Sequence, residues 1–283
     1  MRRAAASVLL AACLAVPSRA FAYRPFDGTD ADVAEQGSFE LELGPAHWYY
    51  QSGQDSLHGH YLIAPATVLN LGILEDTELV VEFANFVALG PLDGRPAASL
   101  LETDVLLKHV FREGSLQGKS GPSFAIEAGP LTPEINGSNA FGASLDAIVS
   151  YAWRGGAIHF DERPSYTRDH TFDVFSGAIL EGPHDWVVRP VCEIFYETEP
   201  SGSGTQSVLV GAIWTAKESF VVDLGLRGAR IGEDRAAEVR LGFTWSLPIW
   251  DPGARERAPA EPAPSRAPLF PGPMVRSTRA PPL

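Results

Sequence analysis

Apolar and polar residues alternate with a period of two in segment after segment of this chain. In 36–43, Phe39, Leu41 and Leu43 fall on one side, and Ser38, Glu40 and Glu42 on the other. In 120–129, Phe124 and Ile126 oppose Ser123 and Glu127. In 219–227, Phe220, Val222, Leu224 and Leu226 oppose Asp223 and Arg227. In 237–245, Val239, Leu241, Phe243 and Trp245 oppose Glu238, Arg240 and Thr244. A strand sends successive side chains to opposite faces, so each segment has an oily side and a wet side. The pattern predicts twelve strands: 38–50, 57–71, 77–89, 100–112, 121–130, 140–154, 156–167, 171–182, 185–198, 205–216, 218–229 and 236–247. That is far more strand than the ~20–25% of an ordinary domain. Either the oily faces pack on each other in a sandwich, or they face lipid around a polar lumen.

The connections separate these two. After strands 2, 6, 8 and 10 they are short, centred on Glu75-Asp76, Gly155-Gly156, Gly182-Pro183-His184 and Ala216-Lys217. After the odd strands they are mostly longer and rich in turn formers, as in Gly90 to Pro96 and Thr132 to Asn139. The link Gly114 to Ser120 after strand 4 departs from the rule. Short turns at one end and long loops at the other are the layout of a bacterial outer-membrane barrel, with both termini in the periplasm. Strand lengths meet the ~9–11 residues a tilted strand needs to cross. The expected fold is therefore all-β: a closed, up-and-down, antiparallel transmembrane barrel of about twelve strands.

The ends of the chain agree with export. Met1 to Ala22 reads as a secretory signal, with Arg2 and Arg3 before an apolar run and Ala20-Phe21-Ala22 as the cleavage site. Leu10-Ala11-Ala12-Cys13 is a competing lipidation motif, although an apolar Leu14-Ala15-Val16 follows it. Residues 23–37 form an acidic leader, 38–250 the barrel, and 251–283 a Pro/Ala/Arg tail with nine prolines. A tail of that composition lacks the apolar surface to repay ordering and is expected to be disordered. Charged or strongly polar residues interrupt every later apolar run, so no helical anchor is expected.

Charge adds a second constraint. Residues 23–250 carry fourteen basic against thirty-two acidic side chains, or −18. Nucleic-acid partners need a basic surface and are excluded. An acidic excess suits polar loops or a cation-attracting lumen. Beyond the signal only Cys192 remains, so neither an intrachain disulfide nor a Cys-rich zinc site is expected.

Several strings resemble a known family. They are Tyr23-Arg24-Pro25-Phe26, Gly37 to Gly44, Asp104 to Phe111, Pro122 to Gly129, Val191 to Glu197, Asp223 to Ala229 and Val239 to Trp245. Over about 23–247 the chain resembles the outer-membrane transporter barrels catalogued under the MetA-pathway of phenol degradation. That resemblance implies membrane passage of small compounds, aromatic ones among them, with lipid and the barrel assembly machinery as partners. The chain departs from the family in two places. Trp245 or Trp250 must stand for the terminal aromatic, with 33 residues beyond Trp250, and the loop after strand 5 reads Leu131-Thr132-Pro133.

The polar parity collects the candidate lumen residues: Glu102, Asp104, Lys108, Arg112, Glu127, Asp146, His159, Asp161, Arg189, Glu193, Asp223, Arg227, Glu238 and Arg240, with Glu40, Glu42, Glu82 and Glu197 beside them. They serve either as a filter for solutes or as ion pairs that pack a narrow barrel shut. Lys108 and Glu127 are expected opposite each other if Arg112 opposes Ser123. His58 and His60, and His159 and Asp161, have the alternate spacing of a shared ligand but lack further metal donors; no metal or cofactor is expected. Ser123, Ser144, Ser150 and His159 supply hydrolase residue types without a nucleophile motif, so the chain is not expected to be an enzyme. Leu145, Val149, Cys192, Ile194, Leu209, Val222 and Leu241 should face lipid. Trp48, Tyr49, Tyr50, Tyr151, Trp153, Trp186 and Tyr196 should form interfacial girdles.

Overall fold

The structure, a computed structural model, describes residues 25–52, 59–89, 97–198 and 204–250. The signal, Cys13, His58 and the tail lie outside the described residues. Twelve strands form: β1 (Ser38–Ser52), β2 (Gly59–Leu74), β3 (Thr77–Ala88), β4 (Ala98–Arg112), β5 (Ser123–Leu131), β6 (Gly142–Trp153), β7 (Gly156–Tyr166), β8 (Phe172–Glu181), β9 (Val188–Glu197), β10 (Thr205–Lys217), β11 (Phe220–Ile231) and β12 (Asp234–Pro248). No strand end differs from its expected position by more than three residues. Each strand pairs antiparallel with the next, and β12 returns to β1, closing a barrel. Closure leaves no unpaired sheet edge, the condition for carrying backbone through lipid.

The period-two pattern sets which side is which. Along β9, Arg189, Val191, Glu193 and Phe195 are buried inside, while Val188, Pro190, Ile194 and Tyr196 are exposed outside. Cys192 shares the outer parity. Leu145, Val149 and Leu241 are exposed, and Val222 lies on their side of the wall. Leu209 is a correction. It is fully buried and packs inside with Phe26, Ile179, Val191, Ile213 and Val221. Three apolar residues in a row, Val208-Leu209-Val210, hide the parity of β10; the register opposite Glu193 and Arg227 decides it.

The aromatics divide in the same way. Trp48 stacks on Tyr50, and Tyr151 on Trp153, all on the outer face. His60 joins the first pair on the outer face, 4.7 Å from the Tyr50 ring. Tyr49 turns inward and hydrogen-bonds Gln51.

Candidate functional site

The interior of the barrel is not filled by wall side chains alone. Residues 25–37, the acidic leader, run through the half of the lumen marked by the short turns. Phe26, Asp30, Ala31 and Ala34 are buried there. A backbone that enters such a space must find partners for every N–H. The polar faces of the wall strands supply them. Glu193 on β9 accepts from the amides of Asp27 (3.0 Å) and Gly28 (2.7 Å). Asp161 on β7 accepts from Thr29 at 2.8 Å, and Ser150 on β6 from Ala31 at 2.9 Å. Glu78 on β3 accepts from Ala34 at 2.7 Å.

Donors on other strands meet the leader's oxygens. Arg240 on β12 reaches the Pro25 carbonyl at 2.7 Å and the Asp27 carboxylate at 2.9 Å. Lys108 on β4 donates to Thr29 Oγ1 at 3.1 Å and lies 3.8 Å from Asp30. Arg227 on β11 is 3.6 Å from Asp27. Gln117, on a 3-10 turn in the β4–β5 link, donates to the Ala31 carbonyl at 2.7 Å. Seven of the twelve strands therefore hold the leader, and a segment bonded to walls on all sides crosses the lumen rather than lining one side. Burial raises the pKa of Asp27, but Arg227 and Arg240 outweigh it and hold the carboxyl below its usual range.

Two glycines mark the path. Gly37 donates to the Gly72 carbonyl at 2.9 Å, and a Cβ on Gly72 would run into the backbone of Glu35. At the other end, a Cβ on Gly225 would sit 2.8 Å from Pro25. Both wall positions stay bare because the leader passes against them.

Beyond the leader, toward the long loops, lies a cavity of about 550 Å³. Phe26 and Asp27 form part of its wall, with Phe175, Phe195, Tyr49 and Phe86 as aromatic surface. Glu82, Glu102, Asp104, Glu127, Arg163 and Arg227 bring charge. The Arg163 guanidinium lies over the Phe175 ring at 4.6 Å, and Arg227 over Phe195 at 5.0 Å.

The expected site residues fall into distinct groups. Lys108, Asp161, Glu193, Arg227 and Arg240 bind the leader directly. Glu238 holds Arg240 (2.9 Å), Arg227 (3.4 Å) and His47 (3.5 Å) in place. Arg189 pairs with Glu181 at 2.6 Å inside the wall. Glu127 and Asp146 are buried neighbours across β5 and β6, and Asp223 is buried on β11. Asp104 pairs with Arg168 at 2.6 Å, and Arg168 also reaches the Thr132 carbonyl, tying the β7–β8 loop to the β5–β6 loop. Glu102 lines the cavity from a left-handed backbone position with φ 54.

Arg112 is a correction. A bulge between Val110 and Arg112 sets it opposite Phe124 instead of Ser123, and it ends exposed at the strand terminus beside Gly121. Lys108 is nonetheless opposite Glu127.

The structure joins Ser150, His159 and Glu181. His159 Nδ1 lies 2.8 Å from Ser150 Oγ, and Nε2 lies 3.5 Å from Glu181. Yet Ser150 and His159 are fully buried, and the hydroxyl oxygen already accepts the Ala31 amide. A nucleophile needs a free approach for substrate, so this arrangement anchors the leader. Among the described residues, no group of His, Cys, Asp and Glu could hold a metal ion.

Sequence reasoning missed Arg163, Glu78, Gln117 and the leader itself. One signal was available. The polar parity carries many more carboxylates than cations, and such a surplus needs other donors. A stretch of backbone rich in small residues supplies them.

No family model matches the chain, and no curated protein matches it. Among solved structures, the COG4313 outer membrane channel from Pseudomonas putida F1 is similar at 11% identity, with a TM-score of 0.56 over 78% of this chain and 100% of that one. The KdgM porin aligns over 73% of this chain and 98% of its own at 12% identity (TM-score 0.46). The CymD monoaromatic hydrocarbon channel aligns over 76% and 90% at 10% identity (TM-score 0.43). Likeness at the first of these levels shows the barrel fold.

Proposed function

We propose that this protein is an outer-membrane passage for small molecules whose periplasmic half is occupied by its own leader. The observation that carries the reading is the division of the lumen into a cavity toward the long loops and a polar-anchored leader beneath it. Wall contacts to the leader are mostly hydrogen bonds and ion pairs, with Pro25, Phe26, Ala31 and Ala34 as its buried apolar residues. Polar contacts of this kind exchange with water more readily than a packed core does. The similarity to the COG4313 channel supports passage as the role. The aromatic surface of the cavity agrees with small aromatic solutes, the class that the MetA-pathway resemblance implies. On this reading residues 1–22 direct export and the assembly machinery inserts the barrel.

The leader itself favours a second reading, a barrel that binds a ligand in the cavity without conducting. Planar-bilayer recording separates the two. The intact protein should give small or rare conductance steps, and a chain lacking 25–36 should give steps several times larger. Silence in both would favour the binding barrel. Large, equal steps in both would mean that the leader does not lie in the path.

A further inference from the structure

The outer wall carries one feature that passage through the lumen does not use. Among the described residues, Glu162 is the one carboxylate of the strands on the outward parity, between Phe160 and Pro164 on β7. It is exposed, and Ser176 on β8 donates to it at 2.7 Å. Four residues toward the long loops is Tyr166; four residues toward the short turns is Ile158, paired with Tyr151. At ~3.3 Å per residue along a strand tilted ~45°, each aromatic level is on the order of 10 Å away in height. Glu162 thus stands midway between the girdles, where hydrocarbon surrounds the wall and a carboxylate is disfavoured.

Around it the wall is concave. The groove is about 580 Å³, floored by small residues (Ala147, Ser176 and Ala178) and walled by Val149, Phe160, Ile194 and Tyr196. Lipid chains would fill an apolar groove but leave the carboxylate with the Ser176 hydroxyl as its protein partner. The occupant that matches both parts is an aromatic or alkyl body bearing an ammonium. Its body meets Phe160 and Tyr196, and its charge meets Glu162. In the low dielectric of the bilayer such a pair is worth more than in water. We propose that this groove binds lipophilic ammonium compounds from within the membrane, at a site separate from the lumen cavity.

Dansylcadaverine, an aromatic body with a primary ammonium, tests the proposal against its N-acetyl derivative, which has the same body without the charge. The readout is protein-sensitised dansyl emission from full-length protein in neutral liposomes. Heat-resistant electrophoretic mobility confirms that each variant is folded. The intact protein should bind dansylcadaverine saturably, and Glu162→Gln should weaken it at least tenfold. Glu162→Gln removes a charge from lipid, so insertion should not suffer. Ala178→Leu, which fills the floor and leaves the carboxylate, should abolish saturable binding. The acetylated probe should bind weakly and equally to the intact protein and Glu162→Gln. Unchanged affinity in Glu162→Gln would place the cation in the acidic lumen and overturn the proposal. Equal affinity for the acetylated probe would overturn it too, as would cross-linking between two copies through this face.

Discussion

Single residues divide by which side of the wall they take, and depth then sets their energetic weight. Leu226 lies near mid-height on the lipid side of β11, paired with Val239 and Val210. Leu226→Arg should cost ~2–4 kcal/mol of barrel stability, whereas Val222→Arg should cost only ~0–1 kcal/mol. Val222 is near the short-turn end of its strand, opposite the exposed Trp214. Urea titration of folded, heat-resistant barrel checks the contrast; equal costs would mean that depth does not follow the register. Cys192 pairs with Leu180 and Val210, both exposed to lipid, so membrane-impermeant thiol reagents should fail to label it in intact membranes. Rapid labelling would reverse the parity of β9. Lys108 changes most between sequence and structure. As a water-bathed pair with Glu127 it would be worth only ~0.2–1 kcal/mol. Instead it is 3% exposed, 3.6 Å from Glu78 and hydrogen-bonded to Thr29. Removing a buried cation strands its acidic neighbours, so Lys108→Met should destabilise by ~3–5 kcal/mol, measured by the same titration. A loss under ~1 kcal/mol would show that water screens the cluster.

At the scale of elements, the strands were legible and the leader was not. Two-residue alternation is imposed by lipid outside and polar groups inside, so it is written into every strand; Lys108 does face Glu127, but the premise used for that register, Arg112 opposite Ser123, does not hold. Alternation does not fix the facing of a residue where the pattern is locally broken. In β10 three apolar residues run together at Leu209. In β4 a bulge displaces Arg112. At Tyr49 an aromatic residue near a strand end turned inward. The leader has no period at all, because its order comes from backbone amides rather than from a side-chain face. Its anchors can be tested one at a time. Glu193 accepts two leader amides, and charge-assisted hydrogen bonds are worth ~1.5–3 kcal/mol each. Glu193→Ala should therefore loosen 25–30 and speed limited proteolysis of the leader severalfold, with the barrel still heat-resistant. Unchanged cleavage would mean that Glu193 is not an anchor.

The whole molecule is a closed wall around a self-supplied segment. Closure is complete by Trp250, since Ile249 and Trp250 both donate to the Gly37 carbonyl, at 2.8 and 3.1 Å. A chain stopped after Trp250 ends on an aromatic residue and should assemble at least as well as the full chain; failure to reach the heat-resistant form would make 251–283 structural. The lumen's acidic surplus, a matter of net charge in the sequence, becomes in the folded protein a set of acceptors for leader amides. Those amides offer the most direct test of this arrangement. In hydrogen-exchange measurements on the barrel in micelles, the N–H groups of Gly28, Thr29, Ala31 and Ala34 should exchange orders of magnitude more slowly than an unstructured chain. Their partners are Glu193, Asp161, Ser150 and Glu78 inside the lumen. Exchange of all four at the rate of an unstructured peptide would place the leader outside the barrel and contradict the account.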